Sequence, residues 1–215
     1  MKEESCAKSL GHSMGIFGPD PDSIYPNPKM KSICFIKNVI TNPRIIAGAY
    51  TYYEDPHNPE DFESHVMYFD PFIEDKLIIG KFCGIAQGVE FLMNGLNRRM
   101  GSVTAYPFHL MGGGWEKIAP AGADTPPHRD TIIGNDVMIH RNVTVLPGVH
   151  IDDGAIIMAN SVVSTDIPPY WVAGGNPIRI IRKRFDDDLI KHLLDIQWWN
   201  WSAEKIFDNL DLLST

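Results

Sequence analysis

An aliphatic residue recurs at every sixth position of one stretch of the chain, and a small or aliphatic residue follows four positions after each. The first set is Ile133, Ile139, Val145, Ile151, Ile157 and Val163, and the second is Val137, Val143, Val149, Ala155, Ser161 and Ile167. An α-helix repeats every 3.6 residues and a strand every two, so neither gives this pattern. A six-residue period is typical of a parallel β-helix, in which each hexapeptide forms one side of a coil.

The same period occurs earlier in the chain and is then interrupted. Its members are Ile73, Ile79, Ile85 and Phe91, accompanied by Leu77, Cys83 and Val89. Residues 92–131 carry no six-residue period and contain a glycine run and several prolines. Because the repeat resumes beyond them, we interpret this segment as an excursion from one continuous solenoid, and a loop of such length favours a functional role.

These patterns predict a single domain of the all-β class. Residues 1–70 are expected to form strands and turns, residues 71–175 the β-helix with its excursion at about 92–131, and residues 176–215 a helical cap. Asp186 is predicted to begin a helix, whose apolar face is expected to consist of Leu189, Leu193, Leu194 and Ile196. A terminal cap of this kind covers the last coil of a solenoid.

Composition narrows the class of function. The chain has 215 residues, is 44% hydrophobic and carries a formal net charge of −8, which argues against a nucleic-acid binder. Cys6, Cys34 and Cys83 fit no zinc spacing and indicate reduced thiols in the cytoplasm. No hydrophobic run approaches the length of a membrane span, so we expect no membrane association.

Two segments are candidates for chemistry. The excursion carries Tyr106, Pro107, Phe108, His109 and Trp115, which favour a site over an ordinary surface loop. The second segment is a basic run that is either a solvated face or a seat for a phosphorylated ligand. The run consists of Arg179, Arg182, Lys183 and Arg184.

The histidines indicate no metal site. His140 and His150 lie on different repeats, and the chain has no His-x-x-x-x-His pair. We therefore predict neither a zinc hydratase nor any other metal cofactor.

Many segments, in order, resemble the hexapeptide-repeat xenobiotic acetyltransferases, which acetylate streptogramin A antibiotics and, in a sister branch, chloramphenicol. The resemblance extends from about Gly18 to about Leu210. The segments are Gly48-Ala49-Tyr50-Thr51-Tyr52-Tyr53, Asp75-Lys76-Leu77-Ile78-Ile79-Gly80-Lys81-Phe82-Cys83, Met93-Asn94-Gly95, Tyr106-Pro107-Phe108, Gly134-Asn135-Asp136-Val137, Pro147-Gly148-Val149 and Gly174-Gly175-Asn176-Pro177.

The resemblance implies a left-handed parallel β-helix and a homotrimer with each active site between two subunits. It also implies acetyl-CoA as co-substrate, held by the residues Ala159, Asn160, Gly175, Asn176, Arg182, Lys183 and Arg184. The acceptor is expected to contact Tyr52, Asp70, Asn97, Met100, Pro107, Phe108 and Met138. In such enzymes a histidine of the excursion removes the proton of the acceptor hydroxyl, and the oxygen then attacks the thioester.

This chain departs from the family pattern at that histidine. The family's Met-Asn-Gly-x-Asn-His-Arg-Met stands here as residues 93–100, with Arg98 at the histidine position. A guanidinium keeps its proton near neutral pH and cannot act as a base. Met138 and His140 replace the tryptophan and glycine of Val-Trp-Ile-Gly, and the family's pair of pocket tyrosines becomes Tyr52 and Asp70.

Three hypotheses follow from this departure. The first is an O-acetyltransferase with an altered acceptor, streptogramin A first and chloramphenicol next, whose base is His140 or His109. The second is a relative that binds acetyl-CoA but is catalytically impaired because Arg98 replaces the base. The third is a structural trimer without a ligand, against which Gly174-Gly175-Asn176-Pro177 and the basic run argue. We favour the first.

Overall fold

The computed structural model describes residues 17–96, 103–117 and 129–215. Its strands, in chain order, are β1 (Ile33–Phe35), β2 (Ile45–Ala47), β3 (Tyr52–Glu54), β4 (Val66–Met67), β5 (Leu77–Ile79), β6 (Gly84–Ala86), β7 (Glu90–Leu92), β8 (Thr131–Ile133), β9 (Met138–Ile139), β10 (Thr144–Val145), β11 (His150–Ile151), β12 (Ile156–Ile157), β13 (Val162–Val163), β14 (Trp171–Gly174) and β15 (Arg179–Lys183). The α-helices are α1 (Asp187–Ile196), α2 (Ala203–Asp208) and α3 (Leu210–Leu213). Short 3₁₀ helices span Ile36–Asn38, Phe62–His65, Asn94–Leu96, Phe108–Leu110, Trp115–Lys117 and Trp198–Asn200.

The strands of the described residues form three sheets. Sheet A has the order β1-β3-β6-β9-β12-β14-β15, sheet B the order β11-β8-β5-β2, and sheet C the order β13-β10-β7-β4. From β5 to β13 successive strands enter sheets B, A and C in rotation, and their neighbours within each sheet are parallel. The three sheets are therefore the three faces of one coiled stack.

The six-residue pattern marks the interior of this stack. Ile79 lies opposite Ile133, Ile85 opposite Ile139 and Phe91 opposite Val145. Every inward position predicted between residues 133 and 167 is buried, none more than 4% exposed. The predicted parallel coils are thus confirmed, because in-register stacking places each aliphatic side chain on the one in the coil below.

The coils begin before residue 71, where the sequence pattern had placed their start. Strands β2, β3 and β4 already pair in parallel with β5, β6 and β7. Loops of unequal length separate these first strands, so no six-residue period is visible there. Ile73, predicted to face inward, lies outside any strand and is partly exposed.

Glycines line the corner between sheets B and A, which we call the glycine corner and define by Gly48, Gly80 and Gly134. A Cβ at Gly48 would lie 2.6 Å from the carbonyl carbon of Gly80, and one at Gly80 would lie 2.6 Å from that of Gly134. The backbones of successive coils therefore approach too closely for a side chain. Cys83 follows this corner with its thiol donating to the Gly134 carbonyl at 3.0 Å, and burial raises its pKa to about 12.

Helix α1 and the 3₁₀ helix Trp198–Asn200 pack beside the glycine corner, where Phe82 contacts Trp198. Asp186 caps α1, accepting a hydrogen bond from the Leu189 amide at 2.8 Å, as predicted. The buried residues of this region are Ile190, Trp199 and Tyr170, with Leu193 and Leu194 partly buried against them. The predicted apolar face was wrong for Leu189 and Ile196, which are exposed, because the inward stripe runs through Ile190 at the spacing i, i+3, i+4.

No helix in the described part of the chain is long and apolar enough to cross a bilayer.

A partly buried ion pair joins this C-terminal region to the coils. Arg184, just after β15, donates to the Gly154 carbonyl at 2.7 Å and lies 3.6 Å from Asp136 Oδ2. Burial raises the pKa of Asp136 to about 6, Arg184 opposes the rise, and the charge of Asp153 adds to it. The Asp136 carboxyl therefore holds its proton at pH values where an exposed aspartate, with a pKa of about 3.9, has lost it.

We predict a pH dependence of stability that originates at Asp136. Below about pH 4 its carboxyl is protonated in both states, and as the pH rises through about 6 the folded state loses the stability that this protonation supplied. In Asp136→Asn the side chain cannot ionise, so the wild type should lose stability relative to the variant between pH 4 and pH 7. Urea unfolding of both proteins at these pH values measures the difference. A constant difference across the range would contradict the prediction.

Candidate active site

The outer face of sheet A carries one continuous row of residues in register. Its neighbours along each strand, such as Tyr53, Ile85 and Ile139, point into the core, so alternation turns the row away from the core, although Gly84 and Val172 within the row are also buried. In spatial order the row is Tyr52, Gly84, Met138, Ile156, Val172 and Arg182. One end therefore carries predicted acceptor contacts and the other end a predicted contact to acetyl-CoA.

Tyr52 and Met138 meet above Gly84. A Cβ on Gly84 would lie 2.8 Å from both the Tyr52 hydroxyl oxygen and Met138 Cε, so the missing side chain leaves the space these two groups occupy. Burial, and secondly the charge of Glu54, raise the pKa of Tyr52. The phenol consequently keeps its proton near neutral pH and is a hydrogen-bond donor on this face.

The candidate bases lie in different parts of the molecule. His140 follows β9 on sheet A, two residues beyond Met138, and is exposed, with its backbone amide bonded to the Ile157 carbonyl at 3.0 Å. His109 lies in the 3₁₀ helix Phe108–Leu110 of the excursion and is partly exposed. Arg98, with Asn97 and Met100, falls outside the described residues.

A second corner, between sheets A and C, carries left-handed residues in successive coils. We call it the asparagine corner and define it by Gly88, Asn142, Asn160 and Gly175, whose φ angles are 77°, 56°, 58° and 99°. The Asn142 side chain donates to Asn160 Oδ1 at 3.3 Å, and the Asn160 amide donates to the Arg141 carbonyl at 3.0 Å.

Four predicted acetyl-CoA contacts lie along the asparagine corner. Ala159, Asn160, Gly175 and Asn176 are all exposed there, and the Gly175 amide donates to Ser161 Oγ at 2.9 Å. Sequence reasoning missed Asn142. Its signal is the distance of 18 residues to Asn160, which equals three hexapeptides and so one full coil.

The last three cations of the basic run differ in their ionic partners. Arg182 is exposed at the end of the row and donates to the Lys183 carbonyl at 3.1 Å. Lys183 forms an ion pair with Asp187 and lies 5.3 Å above the Trp171 ring. Arg184 is held by Asp136 and Gly154, as described. Of the three predicted phosphate contacts, Arg182 is thus exposed, whereas Lys183 and Arg184 are partly buried.

The described part of the excursion presents an aromatic cluster, Tyr106, Phe108 and Trp115. The ring centroids of Tyr106 and Phe108 are 4.8 Å apart, and those of Phe108 and Trp115 are 5.0 Å apart. Pro107 lies between the first two in sequence, and all three rings are exposed.

Asp70, another predicted acceptor contact, lies where the excursion begins. Its carbonyl accepts from Arg44 at 2.9 Å and its carboxylate from the Phe72 amide at 2.7 Å. A Cβ on Gly95 would be 3.3 Å from the Asp70 Cβ. The structure therefore associates Asp70 with the excursion, whereas Tyr52 and Met138 belong to sheet A.

Residues 17–96, 103–117 and 129–215 contain no group of three or more histidine, cysteine, aspartate or glutamate side chains arranged to hold a metal ion.

Comparison with known proteins identifies the family to which this protein belongs. Residues 130–165 match the family model described as bacterial transferase hexapeptide (six repeats). The chain is 50% identical to a virginiamycin A acetyltransferase of Staphylococcus aureus, over 91% of this chain and 89% of that protein. It is 54% identical to a probable macrolide acetyltransferase of Lysinibacillus sphaericus (74% and 88%) and 40% identical to a chloramphenicol acetyltransferase of Klebsiella aerogenes (78% and 80%).

The repeats therefore place the chain among the hexapeptide-repeat transferases. Within that class, it belongs to the xenobiotic acetyltransferase family, which confirms the resemblance inferred from its sequence.

Two glycine substitutions should distinguish an effect on the stability of the coils from an effect on the side chains of the site above them. At Gly84 an added methyl meets the ends of two flexible side chains, so Gly84→Ala should destabilise the fold by less than about 1 kcal/mol while displacing Tyr52 or Met138. At Gly80 it meets the backbone of Gly134, so Gly80→Ala should cost about 1–3 kcal/mol or more. Chemical denaturation measures both changes. Equal losses would show that Gly84 also serves close backbone packing.

Proposed function

We propose that this protein is an O-acetyltransferase that uses acetyl-CoA to acetylate a hydroxyl of an antibiotic or similar xenobiotic. The observation that carries the proposal is the outward row of sheet A, which joins Tyr52 and Met138 to Arg182 in a member of this family. Streptogramin A compounds are the first acceptors to test and chloramphenicol the next. The names of the similar proteins, which include virginiamycin A, macrolide and chloramphenicol acetyltransferases, support this class of acceptor.

Acetyl-CoA lies along the asparagine corner in this proposal. Its pantetheine arm runs beside Ala159 and Asn160, and its phosphates lie near Arg182. An exposed, charged guanidinium forms strong hydrogen bonds with phosphate oxygens. Lys183 and Arg184 contribute mainly positive potential, because Asp187 and Asp136 already engage them.

The acetyl group passes directly from the thioester to the acceptor hydroxyl. A base removes the proton of the acceptor hydroxyl, the oxygen bonds to the acetyl carbonyl carbon, the carbon–sulfur bond breaks, and the proton held by the base passes to the departing CoA thiolate. Tyr52, which retains its proton, orients the acceptor by donating a hydrogen bond. Arg98 cannot serve as the base, and His140 or His109 takes that role.

The active molecule in this proposal is a cytoplasmic homotrimer of single-domain, left-handed β-helices, with each active site between two subunits. Supporting this, the outer face of sheet B carries an apolar row of Ile46, Ile78 and Ile132, with Ile46 46% exposed. A neighbouring subunit would bury this row. The exposed aromatic cluster of the excursion would likewise reach the acceptor bound beside the next subunit.

A second candidate function follows from Arg98 itself. If no other group replaces the family's base, the protein binds acetyl-CoA and its acceptor with little or no transfer. Calorimetry with acetyl-CoA together with an assay of CoA thiol release distinguishes the two functions, because both bind the co-substrate and one of them turns it over.

Removing the Arg182 side chain should weaken acetyl-CoA binding. Loss of a charge-assisted hydrogen bond costs about 1.5–3 kcal/mol, so Arg182→Ala should raise the Kd measured by calorimetry about 10- to 100-fold. Arg129→Ala is the matched control, since Arg129 pairs with Asp166 at 3.2 Å at a different corner. An unchanged Kd for Arg182→Ala would place the phosphates elsewhere.

Restoring a histidine at position 98 should raise turnover. General-base catalysis contributes about 10²–10⁴-fold in rate, so Arg98→His should increase kcat for streptogramin A or chloramphenicol and leave the Kd for acetyl-CoA unchanged. His140→Ala and His109→Ala identify the base of the present chain by the activity that each removes. Rapid wild-type turnover that is insensitive to both substitutions would mean that transfer needs no side-chain base.

A further inference from the structure

The excursion leaves the coils at a buried aspartate–asparagine pair. Asp75 lies just before β5, Asn94 follows β7, and both are only 3% exposed. The backbone amide and the side-chain amide of Asn94 both donate to Asp75 Oδ2, each at 2.8 Å. A buried carboxylate requires such donors, so Asp75 holds a residue near the start of the excursion.

The same asparagine also holds the end of the excursion. Its Nδ2 donates to the Arg129 carbonyl at 3.0 Å. Beside it, the Lys76 amide donates to Asp130 Oδ1 at 2.8 Å, and the Thr131 amide donates to the Lys76 carbonyl at 2.9 Å. The departing and returning ends of the excursion are therefore fixed to one segment, Asp75–Lys76.

Arg44 completes this arrangement from the first coil. Its guanidinium is 3.7 Å from Asp75 Oδ1 and donates to the carbonyls of Asp70 and Ile73 at 2.9 and 2.7 Å. It also lies 4.2 Å from the centre of the Phe69 ring. The charge of Asp75 is thus compensated by a cation whose other contacts hold the loop between β4 and β5, which leads into Asp75.

We propose that Asp75 and Asn94 are positioning residues of the acetyl transfer. They hold both ends of the excursion so that its aromatic cluster is presented to the acceptor, and they act without contacting the substrate themselves. This inference rests on the proposed function. In this role Asp75 and Asn94 affect the rate of turnover, in addition to any contribution they make to the stability of the fold.

The chain provides a matched control for that difference. At the glycine corner, the amide and side-chain Nδ2 of Asn135 both donate to one oxygen of Asp153, at 2.6 and 2.9 Å. This pair has the same hydrogen-bond pattern as Asn94 and Asp75. It joins two coils, however, and has no part in the excursion.

The experiment compares Asn94→Ala with Asn135→Ala, measuring kcat, the acceptor KM, the Kd for acetyl-CoA, the Tm, and hydrogen exchange of residues 103–117. Both variants should lower the Tm. Asn94→Ala should also reduce kcat about 10- to 100-fold and accelerate exchange in the excursion, with an unchanged Kd, whereas Asn135→Ala should retain kcat and exchange. Asp75→Asn, which keeps an acceptor for both Asn94 donors, should retain more kcat than Asp75→Ala and covers the case in which Asn94→Ala does not fold.

Equal kcat and equal exchange in Asn94→Ala and Asn135→Ala, or equal kcat in Asp75→Asn and Asp75→Ala, would overturn the proposal. If the wild type turns over no acceptor, the proposed function fails instead. The exchange comparison then still decides whether Asn94 holds the excursion.

Discussion

Close approach of the backbone at the corners of the coils is the constraint on which this structure depends. Parallel strands hydrogen-bond at a spacing of about 4.8 Å, and the turns between them must come equally close. At Gly48, Gly80 and Gly134 no Cβ would fit, so the glycine corner fixes the register of every strand that leaves it. That register aligns the aliphatic columns inside the coils and also the outward row on which the proposed site lies.

Polar pairs between coils reinforce the same register. Asn94 with Asp75, and Asn135 with Asp153, each satisfy a backbone amide and a side-chain amide with one carboxylate oxygen. Because the carboxylates are partly or fully removed from water, a shift of one coil relative to the next would leave charge without donors. Asp136 differs from these two aspartates because its partner is Arg184. Burial outweighs that contact, and the pKa of Asp136 rises to about 6.

The sequence was most informative where hexapeptides follow one another without interruption. Strands β9 to β13 were predictable for this reason, whereas β2 to β4 were not, because loops of unequal length hide their period. Side-chain partners distant in sequence were also invisible: nothing in the basic run shows that Arg184 would be engaged by Asp136 while Arg182 stays exposed. In α1 the choice between Leu189 and Ile190 depended on the face that the coils offer, which local periodicity does not specify.

The residues in the outward row of sheet A are spaced at regular intervals, one per strand. Five strand spacings separate Tyr52 from Arg182, about 24 Å at about 4.8 Å each. The distance between the proposed acceptor end and the proposed phosphate-binding end can therefore change only by whole coils, one of which corresponds to the 18 residues between Asn142 and Asn160. Insertion or loss of a complete coil would preserve the core but change the distance between the two ends by one strand spacing. Under the proposed function, the number of coils sets the length of the extended co-substrate that can bridge the two ends, so a change in coil number requires a co-substrate of a different length.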